Sequence, residues 1–263
     1  MEIKERYREY ARLAWFYDRY WGAEYHRMIL PVLEKLLFPA IPRDSRILDL
    51  CCGAGHLTAQ LAYRGYRMTG IDGSEEMLAF ARERAPGAQF LAADARSFHL
   101  PPRFEAAVST FESMNHILSG DELGGVFANV LSALASPGIF LFDVLTEEAY
   151  STLWGKSSAI VEEDNVCILR GGYDPRGRTG RSEITLFRLE GYWQRSDVKI
   201  LQRCYALSEI VPLLDKAGFS SVSCHDCRKD LGLSGDLALG RIFISARKAQ
   251  KKFTLENAES AED

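Results

Sequence analysis

Apolar and polar positions follow a regular order through the middle of the chain, from Arg46 to Val144. Short apolar runs are separated there by stretches whose apolar residues recur at helical spacing. Such runs are typical of parallel strands covered on both faces, and the periodic stretches are typical of the helices that connect them. The pattern predicts strands at 46–50, 66–71, 89–93, 105–110 and 138–144. It therefore predicts a parallel α/β core.

Capping residues predict where the helices of this core begin and end. One helix is expected from Gly55 to Tyr63, and a second from an N-cap at Ser74 to the Pro86-Gly87 pair. A third is expected from an N-cap at Asp121 to about residue 135. Each predicted strand up to residue 110 is thus followed by a turn or helix that returns the chain to the same edge of the sheet.

The pattern changes on both sides of the core. The preceding segment is rich in aromatic residues and leads into an amphipathic helix that ends before Pro39, with a kink expected at Pro31. Residues 159–205 alternate between apolar and polar, around a turn signal at 174–177. We interpret them as three antiparallel strands inserted on the edge of the sheet. A helix at 208–216 and strands at 219–224 and 241–246 then complete the core.

These patterns predict five parts of the chain. They are an N-terminal helical cap (1–45), an α/β core (46–150), an antiparallel β lid (151–206), the C-terminal completion of the core (207–248) and a disordered tail (249–263).

The composition of the chain argues against nucleic acid, a membrane and a metal ion as partners. The 32 Lys and Arg residues are outnumbered by 36 Asp and Glu, which disfavours nucleic acid because a polyanion binder needs a basic surface. The sequence contains neither a signal peptide nor an apolar run near the ~18 residues of a membrane span, so we expect a cytoplasmic protein without membrane contact. The Cys224-His225-Asp226-Cys227 spacing falls in a predicted strand, so we expect no metal site.

The most informative segment runs from strand 46–50 into a turn, Asp49-Leu50-Cys51-Cys52-Gly53-Ala54-Gly55. Glycines at this point let a ligand approach the backbone at the start of a helix. Dinucleotide-dependent oxidoreductases place a similar turn there, so an NAD(P)-dependent enzyme is an alternative. Asp49 would repel a pyrophosphate but would attract an α-ammonium group, which favours a methionine-containing ligand.

This turn resembles the first motif of the class I S-adenosylmethionine-dependent methyltransferases, with Cys51 in place of the first glycine. Residues 70–78 resemble the second motif of that family, and Ala93-Asp94-Ala95 resembles the third. The resemblance implies a doubly wound, Rossmann-like α/β fold with a seven-stranded mixed sheet, an antiparallel last strand and a β lid. It also implies S-adenosyl-L-methionine as the cofactor.

The resemblance assigns a role to each motif residue. Asp72 would bind the ribose hydroxyls, Met77 would lie beside the adenine, and Asp94 and Ala95 would bind the adenine edge. The candidate cofactor-binding residues are Tyr17, Asp49, Cys51, Gly53, Gly55, Asp72, Gly73, Met77, Asp94, Ala95 and Phe111. Each aspartate alone could equally be a turn or capping residue.

His116 is the candidate catalytic residue, because the stretch after the fourth strand faces the sulfonium in relatives that methylate sugar amines or glycine. A pKa near neutrality would suit a group that orients or deprotonates the acceptor. A structural, hydrogen-bonded histidine is the alternative. From the N-terminal segment, Tyr10, Tyr17 and Asp18 are candidates to close the cofactor pocket, and we favour Tyr17.

The sequence thus predicts an S-adenosylmethionine-dependent methyltransferase that acts on the amine or hydroxyl of a small molecule, as a monomer or homodimer. A protein that binds the cofactor without catalysis is a further alternative.

Overall fold

The centre of the protein is a seven-stranded sheet, in a computed structural model that describes residues 3–250. The order across the sheet is β10-β11-β5-β4-β1-β2-β3. Strand β11 is antiparallel to both of its neighbours, and the other pairings are parallel. The strands are β1 (Arg46–Leu50), β2 (Arg67–Asp72), β3 (Gln89–Ala92), β4 (Phe104–Ser109), β5 (Leu134–Leu145), β6 (Ser157–Val161), β7 (Asn165–Asp174), β8 (Thr179–Glu190), β9 (Tyr192–Arg203), β10 (Ser220–Asp226) and β11 (Arg241–Lys248).

Helices cover both faces of this sheet. They are α1 (Ile3–Arg6), α2 (Arg8–Phe16), α3 (Gly22–Leu36), α4 (His56–Tyr63), α5 (Glu75–Arg84), α6 (Gly120–Ala133), α7 (Glu147–Leu153) and α8 (Leu207–Ala217). Alternate residues of β1 enter opposite cores: Leu48 packs with Phe127 of α6, whereas Ile47 packs with Leu33 of α3. Because both faces of the sheet are buried, apolar residues such as Ile47 and Leu48 stand next to each other in the strand rather than alternating with polar ones. The predicted fold class is confirmed.

Two local predictions are wrong. The side chain of Ser119, not Asp121, caps α6, since its hydroxyl accepts a hydrogen bond from the Glu122 amide (3.5 Å) while Asp121 lies in the first turn. The inserted strands form a separate four-stranded sheet, β6-β7-β8-β9, rather than three strands on the edge of the central sheet. The extra strand, β6, is short and largely exposed.

The separate sheet, which we call the lid, packs its apolar face on the N-terminal segment. Leu13 and Phe16 of α2 share a buried cluster with Ile184, Val198 and Ile200 of the lid. The segment therefore lies between core and lid, and closes the space above the carboxyl ends of the central strands. From residue 251 onward, the predicted tail lies outside the described residues.

Candidate active site

A cavity of about 700 Å³ lies between the carboxyl edge of the central sheet, the N-terminal helices and the lid. This size falls in the usual range for small-molecule sites. Nine of the predicted site residues line it: Tyr17, Cys51, Gly53, Asp72, Gly73, Met77, Ala95, Phe111 and His116. The structure does not place Asp49, Gly55 or Asp94 among its lining residues.

The turn between β1 and α4 has a left-handed backbone at Cys51, Gly53 and Gly55. The Tyr17 ring lies 3.2 Å from where a Cβ on Gly53 would be, so this glycine lets the ring approach the turn. A Cβ on Gly55 would lie 2.8 Å from the Ala81 Cα, so this glycine permits close packing on α5. Gly53 therefore shapes the cavity, and Gly55 supports it from behind.

Asp72 is held firmly at the end of β2. One carboxylate oxygen accepts a hydrogen bond from the Gly53 amide and the other from the Ser74 amide, each at 2.9 Å. Burial raises the pKa of Asp72, and the hydrogen bonds from the backbone oppose that rise. The carboxylate thus ties the glycine turn to the second strand and faces the cavity with a fixed orientation.

Asp49 is buried and is not among the residues that line the cavity. Its side chain lies below the turn, with 2% of the residue exposed, and accepts a hydrogen bond from the Thr58 hydroxyl at 2.6 Å. Burial raises the pKa of Asp49 to about 7, against the effect of that hydrogen bond. In this structure the carboxylate braces the start of α4, and its predicted contact with an α-ammonium stays a prediction.

The carboxylate of Asp94 also has protein partners. Arg6 of α1 lies 3.2 Å from one oxygen and Arg96 lies 3.0 Å from the other. Although partial burial acts in the opposite direction, hydrogen bonds and charge from Arg96 lower the pKa of Asp94. The predicted adenine contact stays a prediction, and the ion pairs fasten the N-terminal helix to the loop after β3.

His116 lies in the cavity wall with both ring nitrogens hydrogen-bonded. The Gln202 amide nitrogen is 2.9 Å from Nε2, and the Tyr10 hydroxyl is 2.7 Å from Nδ1. An amide nitrogen can only donate, so Nε2 accepts, and the neutral ring donates from Nδ1 to Tyr10. Burial, assisted by the charge of Arg96, lowers the pKa of His116 to about 4. The imidazole is therefore neutral near pH 7, and it joins α2, the core and the lid.

The burial of His116 predicts that the stability of the protein depends on pH. His116 has a folded pKa of about 4, below the ordinary 6.5, so its contribution to stability is full above pH 6.5 and is lost as the pH falls towards 4. The advantage of wild type over His116→Gln should shrink across that window, by up to about 1.4 kcal/mol per pH unit. Urea unfolding at several pH values measures it. His99→Gln, which removes an exposed imidazole, is the comparison variant, and a constant wild-type advantage would contradict the prediction.

The N-terminal segment is fastened over the cavity. Asp18 lies 2.7 Å from Arg84 and 3.1 Å from His56, behind the glycine turn. Asp18 therefore anchors the segment rather than lining the cavity, whereas its neighbour Tyr17 faces inward. Tyr7 closes the other end, where its ring lies against Gly73 in space that a larger residue would fill.

The structure adds a charged group that the sequence analysis missed. Glu112 lines the cavity, and its carboxylate lies 2.7 Å from the Arg241 guanidinium, which also contacts Asp143. Burial raises the pKa of Glu112 to about 7, although the charge of Arg241 lowers it. Two signals could have found this group: an acid just after the fourth strand, and an arginine at the start of an apolar last strand.

Residues 3–250 contain neither a metal-binding cluster nor a membrane-spanning helix. No group of three or more His, Cys, Asp and Glu side chains there is arranged to hold a metal ion. None of the helices in that range combines the length and apolar character needed to cross a bilayer.

Comparison with known proteins shows which kind of protein this chain resembles. Residues 47–138 match a methyltransferase domain family. YqeM of Bacillus subtilis (strain 168), which carries a provisional methyltransferase name, is 29% identical over 224 residues, or 82% of this chain and 89% of that protein. The dTDP-3-amino-3,4,6-trideoxy-alpha-D-glucopyranose N,N-dimethyltransferase of Streptomyces venezuelae is 30% identical over 58% of this chain and 65% of its own length.

A solved structure agrees over nearly the whole chain. An S-adenosylmethionine-dependent methyltransferase from Clostridium acetobutylicum ATCC 824 superposes with a TM-score of 0.75 at 21% identity, covering 91% of this chain and 99% of the other. Fold, site and relatives together define a methyltransferase. The chain carries a methyltransferase domain and resembles the class I S-adenosylmethionine-dependent methyltransferases, the sugar-amine N-methyltransferases among them, so this predicted resemblance is confirmed.

Proposed function

We propose that this methyltransferase transfers the methyl group to the nitrogen of a small-molecule amine, held between His116 and the lid. The observation that carries the proposal is the neutral His116, fixed between Tyr10 and Gln202 in the cavity wall. Methylation of an amine requires the free base at the reacting nitrogen, and a neutral polar surface favours that form over an ammonium ion. The name of the Streptomyces venezuelae relative, an N,N-dimethyltransferase, supports the same chemistry.

The acceptor would lie under the lid. Leu169, Ile184 and Ile200 give this part of the cavity an apolar wall, and Trp154 gives it an aromatic one. Polar side chains also line the cavity, among them the hydrogen-bonded pair His116 and Gln202. This combination of an apolar wall and a few placed polar groups is typical of sites for small molecules.

The cofactor would lie on the other side, against the turn. Asp72 has the fixed, cavity-facing carboxylate that two ribose hydroxyls require, and Gly53 lets the Tyr17 ring lie close to the turn, where it would cover the ligand. Met77 and Ala95 would contact the adenine, and Phe111 would form the wall between cofactor and acceptor. The bound cofactor supplies an activated methyl group, so the protein mainly positions the acceptor and excludes water.

His116 is a positioning residue in this proposal. Both of its nitrogens are engaged and its pKa lies well below 7, so it is poorly placed to remove a proton from the acceptor. Because its Nδ1 donates to Tyr10, the Tyr10 hydroxyl keeps its own hydrogen to donate to an acceptor group in the cavity. Tyr10 would bind a polar group of the acceptor molecule other than the reacting nitrogen, so the non-bonding pair of the amine stays free to attack the methyl group.

The test is release of S-adenosylhomocysteine with matched acceptor pairs. Amino sugars and amino acids are compared with counterparts that carry a hydroxyl in place of the amine. We expect turnover with one or more amines and at least about 10-fold less with the matched hydroxyl compound. We expect His116→Ala to lower kcat/KM about 100-fold while binding of S-adenosylhomocysteine stays within about twofold. Turnover of the hydroxyl series alone would overturn the assignment to nitrogen.

We also propose a role for each part of the chain. Residues 46–150 and 207–248 would bind the cofactor, 151–206 would roof the acceptor, and 1–45 would close the site. The enzyme would act in the cytoplasm as a monomer or homodimer, with no nucleic-acid or membrane partner. The acidic balance of the chain supports the first of these exclusions.

A further inference from the structure

Glu112 has an unusual position for a carboxylate. It lies in the loop after β4, where Phe111 and Glu112 both have a left-handed backbone. The residue is 9% exposed, and that exposure is to the cavity, which it lines. One oxygen lies 2.7 Å from Arg241, the cation that also contacts Asp143. A carboxylate buried to this extent is costly unless its charge is fully compensated by partners or by a ligand.

The charges around Glu112 do not cancel. Arg241 is the one cation of the described part of the chain within ion-pair distance of Glu112 or Asp143, and it serves both carboxylates. Asp143 also accepts a hydrogen bond from the Glu112 amide, at 3.1 Å, so it fixes the backbone of the loop. When both carboxylates are ionised, the group carries one negative charge in excess, and the member that lines the cavity is Glu112. A cation entering from the cavity would complete it.

The topology places this excess charge beside the glycine turn. Strands β1 and β4 are neighbours in the sheet, so the loops after them share one edge. Tyr17 reaches both loops: its ring lies on Gly53, and its ring centroid is 6.0 Å from that of Phe111. After burial, the charge of Glu112 is the largest influence that raises the pKa of Tyr17, in keeping with this proximity.

We propose that Glu112, rather than Asp49, receives the α-ammonium group of the methionine moiety of the cofactor, and that Arg241 and Asp143 hold its carboxylate in position. Asp49 was predicted for this role, but it lies below the turn and its carboxylate is bonded to Thr58. The inference concerns the cofactor alone and holds whatever the acceptor is.

Calorimetric binding of three probes tests the proposal without an acceptor. S-adenosylhomocysteine carries the α-ammonium but no sulfonium charge, its desamino analogue lacks the ammonium, and 5′-methylthioadenosine lacks the whole amino-acid portion. Wild type should bind S-adenosylhomocysteine at least about 10-fold more tightly than the desamino analogue. In Glu112→Gln this preference should fall to about twofold or less, and binding of 5′-methylthioadenosine should change by less than about twofold.

Asp49→Asn is the competing variant, and it should keep the wild-type preference. The proposal is overturned if Glu112→Gln keeps the preference, or if Asp49→Asn is the variant that abolishes it. Binding of 5′-methylthioadenosine reports an intact fold in each variant. Should Glu112→Gln fail to fold, Glu112→Asp, which keeps the charge, is expected to retain part of the preference. Complete loss of this preference in Glu112→Asp, while 5′-methylthioadenosine still binds, would also overturn the proposal.

Discussion

Replacing Arg241 with methionine is expected to lower the free energy of unfolding by about 3–5 kcal/mol. The guanidinium is 2% exposed and contacts the carboxylates of Glu112 and Asp143 and, at 3.3 Å, the Tyr25 hydroxyl. Methionine fills much of the same volume but leaves two buried carboxylates without a counterion. The cost is therefore that of the uncompensated charges more than that of lost packing. Urea denaturation of the unliganded protein measures it.

The control is Arg247→Met, at an exposed position of the same strand, which should change stability by about 0.5 kcal/mol or less. Raising the pH should increase the loss of stability caused by Arg241→Met. The pKa of Glu112 is already raised to about 7 by burial, and its carboxylate ionises as the pH passes through that value. Equal stabilities of the two variants would show that the buried cluster does not support the fold.

Replacing Asp72 with asparagine is expected to weaken S-adenosylhomocysteine binding at least about 100-fold. The carboxylate accepts hydrogen bonds from two backbone amides, of Gly53 and Ser74, and faces the cavity. Asparagine must direct an NH₂ group at one of those amides, which loosens the turn, and it removes a charged acceptor from the ribose position. Hydrogen bonds to a charged group contribute about 1.5–3 kcal/mol each, which accounts for this magnitude.

Isothermal titration with S-adenosylhomocysteine measures this effect. Asp215→Asn, an exposed substitution of the same kind on α8, should leave affinity within about twofold. Urea unfolding of the unliganded variants shows whether the turn still forms. An Asp72→Asn variant that folds and binds as tightly as wild type would remove this residue from the proposed site.

The fold could be predicted from sequence because its signals are local. Continuous apolar strands, the Ser74 cap and the glycine turn each depend on a few adjacent residues, and parallel strands with intervening helices admit few topologies. The wrong prediction of Asp121 instead of Ser119 as the cap of α6 has the same origin, since serine and aspartate two residues apart are both good caps. The separate lid sheet could not be predicted, because strand alternation does not say which sheet a strand joins.

What the sequence by itself determined is the α/β core, the edge at which a ligand binds and the acid at the end of each of three strands. Only the tertiary structure decided how those acids are used: Asp72 faces the cavity, Asp49 is enclosed with Thr58, and Asp94 is paired with arginines. It also brought Glu112 to Arg241, and His116 to Tyr10 and Gln202. The physical reason is distance along the chain. These partners are mostly far apart in sequence, so no local pattern records them, and burial and charge act only after the fold has brought them together.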